Sequence, residues 1–110
     1  MACECSLQVF NPKWFKALSD PNRLLLLVKL ANSKKPLKVG ELSAVCNCDL
    51  SVVSRHLKIL KDAGLIDAKK KGREVYYTVA FVDLIDGFRK VVSAFEMCCD
   101  KPQKKKGGRK

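Results

Sequence analysis

Sulfur and positive charge are the two kinds of chemistry this chain can offer. Its six cysteines fall into three pairs, Cys3 and Cys5, Cys46 and Cys48, Cys98 and Cys99, and His56 is its one histidine. Thiolates are soft ligands that select thiophilic ions over magnesium or manganese. They are also the groups that oxidants modify. Thiol enzymology is disfavoured: no Cys-x-x-Cys motif sits beside a βαβ pattern, and no cysteine is cued to pair with the histidine.

The three pairs differ in setting. Cys98 and Cys99 close an amphipathic run and precede a basic tail, a setting in which positive charge favours thiolate. They are the first candidates for metal ligands, against the plainer reading that they finish an apolar seam. No cysteine follows Cys99, so a three-coordinate ion needs its third thiolate from elsewhere. Cys3 and Cys5, on a flexible N-terminal arm over residues 1–10, can supply it from the same chain or its mate. An idle arm is the alternative for these two. Cys46-Asn47-Cys48 spans a tight turn whose flanking residues point inward, where free cysteine behaves as a small hydrophobe. The core reading is favoured there, and ligation stays open.

The charge balance names a class of partner. Lys and Arg number 22 against 11 Asp and Glu, a net charge of +11. The segment from Lys101 to Lys110 holds six basic residues and no acid, so the rest of the chain keeps a charge of +5. A body and tail both basic point to a polyanion, with nucleic acid favoured over membrane. No segment approaches the ~18 apolar residues that span a bilayer. Met1 to Cys5 lacks the basic-then-apolar order of a secretory leader. The expectation is a cytoplasmic protein with reduced thiols and no structural disulfides.

These groups must be positioned by a core, and 47% of the 110 residues are apolar, enough for one domain. Asn11-Pro12 opens a short helix carrying Trp14, Phe15 and Leu18. Asp20-Pro21 starts a second, since Asp caps exposed amides and Pro at the first helical position has no amide to leave unpaired. It runs through Leu24, Leu27, Val28 and Leu30 to Asn32-Ser33. Lys34 to Leu37 is a connector. A third helix covers about Val39 to Val45, with Leu42 and Val45 inward; Asn47 turns, and Asp49 caps a fourth helix carrying Leu50, Val53, Leu57 and Leu60. Gly64 stops it. The period then changes to two in Leu65–Ala68 and Val75–Val79, with Lys69–Glu74 as the hairpin tip. A last amphipathic helix runs from about Phe81 to Cys99, and its long apolar stripe predicts a helix–helix dimer seam. The predicted organisation is an arm (1–10), a domain (11–99) and a disordered basic tail (100–110).

Helix, turn, helix and a basic hairpin make a mainly α fold with a small β-hairpin, a winged helix-turn-helix. The second helix of such a pair enters the major groove. Its outward residues here are Ser51, Val52, Ser54, Arg55 and Lys58, with Arg55 suited to fork onto a guanine edge. Lys69, Lys70, Lys71 and Arg73 of the wing would follow phosphates or reach the minor groove.

Three motifs, Leu18-Ser-Asp-Pro-Asn-Arg-Leu24, Ser54-Arg-His-Leu-Lys-Ile-Leu-Lys-Asp-Ala-Gly-Leu-Ile66 and Gly72-Arg-Glu-Val-Tyr-Tyr77, resemble the ArsR–SmtB family of metal- and metalloid-sensing repressors. The resemblance covers about residues 12 to 99. It implies a homodimer built on the first and last helices, bound to double-stranded operator DNA until an inducer arrives. It also implies that His56 sits at a core position of the recognition helix rather than serving as a ligand. Two of the family's inducer sites are missing. The Cys-x-Cys at the start of the third helix falls on Lys38 and Gly40, and the last helix has Asp83 and Asp86 but no His. Some arsenic-responsive members carry Cys-Cys at the end of the last helix with a third Cys close after. The expected function is a repressor released by As(III) or Sb(III), with Cd, Pb or Zn next and no organic cofactor. A thiol-redox repressor of the same fold is the rival reading, and a general architectural nucleic-acid protein a weaker one.

Overall fold

The computed structural model describes residues 11–98. Cys3, Cys5, Cys99, the predicted arm and the predicted tail lie outside them. Among the described residues there are five helices and three strands.

Helix α1 (Pro12–Leu18) is capped by Asn11, whose side chain accepts from the Lys13 amide at 3.0 Å. Its buried residues are Trp14 and Ala17, whereas Phe15 is exposed. Asp20 caps α2 (Pro21–Asn32) and accepts from the amides of Asn22 and Arg23 at 2.8 and 3.2 Å. The inward face of α2 is Leu26, Leu27 and Leu30; of the apolar residues the sequence places along this helix, Leu24 and Val28 are exposed. A run of four leucines fits several helical phases equally, and packing against α3, α4 and the sheet selects one.

The predicted connector holds a short strand, β1 (Leu37–Lys38). It leads into α3 (Val39–Cys46), where Glu41 Oε1 accepts from the Lys38 amide at 2.9 Å. Leu42 is fully buried, while Val45 is only half-buried. Asn47 takes the left-handed conformation (φ 54°) that ends α3, a conformation Asn tolerates better than most residues. Then α4 (Leu50–Asp62) begins after Asp49, which occupies the N-cap position without a side-chain hydrogen bond to the helix. Val53, Leu57 and Leu60 of α4 are fully buried, and Leu50 is exposed. Gly64 stops the helix with φ 83°, the backbone region a side chain would penalise.

Strands β2 (Ile66–Lys71) and β3 (Glu74–Val79) form the wing, antiparallel from Ile66↔Val79 to Lys71↔Glu74. The tip is therefore only Gly72-Arg73, and Lys69, Lys70 and Lys71, expected at the tip, belong to the strand. β1 adds to β3 through Leu37↔Tyr77 and Lys38↔Tyr76, giving a three-stranded sheet in the order β1-β3-β2. The core joins Trp14, Leu26, Leu42, Leu57, Leu65 and Val79 across all these elements.

The last helix, α5 (Phe81–Cys98), buries only Ala94, with Leu84 packed at the core's edge. It crosses α1 where Gly87 faces the Trp14 indole: a β-carbon at Gly87 would stand 2.8 Å from Trp14 Cζ2. The next residue, Phe88, meets Trp14 edge-on, with ring centroids 4.7 Å apart.

Candidate nucleic-acid interface and thiol sites

Helix α4 has two faces of opposite character. Val53, Leu57 and Leu60 anchor one side in the core, and the 3.6-residue period turns Ser51, Ser54, Arg55 and Lys58 outward, where all are exposed. Val52 is half-buried beside them. Lys58 pairs with Asp62 one turn on, at 3.3 Å, a weak surface pair. Lys69, Lys70, Lys71 and Arg73 are exposed on the wing. A shallow groove brings Ser54 of α4 together with Arg73 and Lys38. Strand alternation separates the lysines: Lys69 and Lys71 share one face of the sheet, and Lys70 the other.

The orientation of α4 depends on residues outside it. Arg23 Nη1 donates to His56 Nδ1 at 3.2 Å, while its Nε and Nη2 donate to the carbonyls of Ala17 and Lys16 at 2.9 and 3.2 Å. His56 is thus a half-buried, hydrogen-bonded packing residue, as expected. Beside it stands Asp20. Burial raises the Asp20 pKa, but the Arg23 and Asn22 amides and the charges of Arg23 and His56 outweigh that and hold it below the usual carboxylate value. Sequence spacing did not reveal Arg23 as the link, because its partners lie up to 33 residues away.

Cys46 and Cys48 are partly buried against the core, and the Cys48 thiol donates to the Cys46 carbonyl at 3.2 Å. The Cys48 pKa is pushed up to about 11, first by its hydrogen bond with Cys46, then by burial and by nearby negative charge from Cys46, Asp49 and Asp20. A thiol so held is a poor nucleophile at neutral pH. Cys98 is half-buried at the end of α5. Where the expectation was a reduced thiol, Cys98 is disulfide-bonded. Among the described residues, no three Cys, His, Asp or Glu side chains come together as a metal ion would need.

The comparisons agree with this geometry. A profile described as "Bacterial regulatory protein, arsR family" matches residues 20–68, from the cap of α2 into β2. The transcriptional repressor SmtB homolog of Synechocystis sp. is 37% identical over 79 residues, 72% of this chain and 58% of that protein. The uncharacterized HTH-type transcriptional regulator YceK of Bacillus subtilis is 38% identical over 77 residues, 67% of this chain and 77% of that protein. The chain thus spans little more than half of the first and about three quarters of the second. Among solved structures, the homodimeric winged helix-turn-helix DNA-binding domain of Mb0332 from Mycobacterium bovis, a possible ArsR-family transcriptional regulator, matches with a TM-score of 0.63. Its identity is 28%, over 82% of this chain and 81% of that domain. Each of these relatives is described as a transcriptional regulator, one of them as a possible one. With the profile lying over its helix-turn-helix and its wing in place, this chain belongs to the ArsR–SmtB family of bacterial regulators.

Proposed function

We propose that this protein is a homodimeric repressor that binds a specific operator and is released from it by a thiophilic ion. The observation that carries the DNA half is the two-sided α4, with three residues locked in the core and Ser51, Ser54, Arg55 and Lys58 on the exposed side. The wing, with Arg73 across a groove from Ser54, supports it. So does the net charge of +11. The dimer half is supported by the apolar side chains that α5 leaves exposed, among them Ile85, Phe88, Val92 and Phe95. The related Mb0332 domain is homodimeric.

For the ion, the reading rests on the donor set. Cys46 and Cys48 are packed against the core, which makes the helix-turn-helix pair the less accessible of the thiol pairs. The described residues contain no complete site; Cys98 offers a thiolate only once its disulfide is reduced by a thiol, and it must then draw on Cys99, Cys3 or Cys5. Three thiolates suit As(III) or Sb(III) first, and Cd, Pb or Zn after them. Ion binding would favour a dimer in which the two α4 helices no longer match successive major grooves. By linkage, DNA then weakens the ion by the same factor.

The test is an electrophoretic shift on the chain's own promoter with a panel of these ions. Arsenite should release the wild type and leave the Cys98→Ser/Cys99→Ser variant bound, with Cys3→Ser/Cys5→Ser weakened in response only. A Cys46→Ser/Cys48→Ser variant that folds, binds DNA and ignores the ion would move the site to the helix-turn-helix. One observation favours a second reading: the disulfide at Cys98 fits a thiol-redox repressor. Release by peroxide, reversed by dithiothreitol and indifferent to every ion, would select it.

A further inference from the structure

We propose that a second phosphate-binding track runs along the outer face of the wing sheet and holds the duplex that flanks the operator half-site. This inference rests on the DNA-binding reading above, shares Lys69 and Lys71 with it, and extends it to Lys35, Lys38, Tyr76 and Thr78.

The register creates the track. Lys69 pairs with Tyr76, Asp67 with Thr78, and Lys38 of β1 with Tyr76 from the other side. Cross-strand partners share a face, so Lys38, Lys69, Lys71, Tyr76 and Thr78 lie together with Asp67 and Glu74, opposite the face that carries Leu37, Tyr77 and Val79 toward the core. Lys35, from the segment before β1, completes a cleft of about 850 Å³ lined by these side chains. Two acids also line it, Glu41 and Asp67. Glu41 is already engaged: one carboxylate oxygen accepts from the Lys38 amide at 2.9 Å, and the other faces Lys35 Nζ at 3.7 Å. Four ammonium groups against two carboxylates leave the cleft positive. The tyrosine and threonine hydroxyls add neutral donors for phosphate oxygens.

Continuity decides the occupant. Lys38 lines this cleft and also the groove that joins Ser54 to Arg73. One continuous surface, its positive charge interrupted by the acid Glu74 beside Arg73, therefore leads from the exposed face of α4, past the wing, onto the back of the sheet. The lysines are spread along an open trough and not converged on one point; the Lys35 side chain is 71% exposed. A row of mobile point charges suits successive phosphates of a duplex better than a single small anion.

The experiment uses the full chain and an operator duplex that it selects from a random-sequence pool. Affinity is measured against salt concentration on two duplexes, one ending at the half-sites and one extended by a helical turn on each side. The wild type should bind the longer duplex several-fold more tightly. Lys35→Gln should match the wild type on the short duplex and lose most of that advantage. On the long duplex its log–log salt slope should be shallower by about 0.9 per protomer, the worth of one phosphate contact. Lys35→Arg, which keeps the charge, should keep the advantage. Equal wild-type affinity on both duplexes, or a Lys35→Gln variant that keeps the advantage, would overturn the track and leave operator binding by α4 standing. Failure of the chain to select any sequence would overturn both readings.

Discussion

Arg23 donates to His56 across 3.2 Å, and that contact joins α2 to the middle of α4. The same guanidinium closes the end of α1 through the Ala17 and Lys16 carbonyls, groups a helix leaves without partners of its own. One side chain thus sets three helices relative to each other. Lysine cannot reproduce the fork. Arg23→Lys should lower the unfolding free energy by about 1.5–3 kcal/mol, the range for hydrogen bonds to a charged group, and weaken operator binding as α4 loosens. An unchanged urea midpoint would show that the fork contributes nothing.

Gly87 makes room for Trp14. In an open helix, Gly→Ala gains about 1 kcal/mol of propensity. Here the new β-carbon would meet the indole at 2.8 Å, and both groups sit where α1 and α5 cross. Gly87→Val should destabilise the protein by about 1–3 kcal/mol, as overpacking does. Trp14 is the only tryptophan, so its fluorescence should report the displaced α5 directly. A stabilised variant with unshifted emission would refute the tight crossing.

Arg55 is exposed at the centre of the outward face of α4. Arg55→Ala should cost about 1–3 kcal/mol on the selected operator and relax the preference at one base pair. Removing residues 101–110 should weaken all sequences alike and flatten the salt dependence. Loss of specificity on truncation, with Arg55→Ala silent, would mean that α4 is not the reading helix.

Val92 is 54% exposed, in line with Phe88 at 46% on α5. Val92→Asp should leave an unpaired charge between protomers, at a cost of several kcal/mol. Sedimentation should show monomers, and operator binding should fall with the dimer. A monomeric wild type that binds a two-fold operator tightly would remove the dimer from the mechanism.

Cys48, with its pKa near 11, should be alkylated slowly at pH 8. Its rate should climb about tenfold per pH unit below that pKa, because the thiolate is the nucleophile. Iodoacetamide labelling followed by peptide mass analysis reads the rate. Rapid labelling of Cys48 in the folded protein at pH 7 would reopen the helix-turn-helix pair as a ligand or redox site.

Local physics alone determined much of this protein. Asp20-Pro21 starts α2, Asn47 turns the helix-turn-helix, and Gly64 ends α4, because capping and left-handed backbone are properties of one or two residues. Val53, Leu57 and Leu60 declared the buried side of α4 through their spacing, and the face left over is the candidate interface. The tertiary structure decided what no spacing encodes. β1 has two residues and no period of its own; it exists because β3 offers it an edge. The Leu24–Leu27 run fits several phases, and the neighbours of α2 chose Leu26 and Leu27 for the core. The wing lysines entered the strand because pairing continues to Lys71↔Glu74. Cys48 holds its proton only because folding places a carbonyl and negative charge beside it. Arg23 meets His56, and Gly87 meets Trp14, through contacts between segments far apart in the chain, and such contacts are set by packing, which acts in three dimensions where sequence patterns run in one.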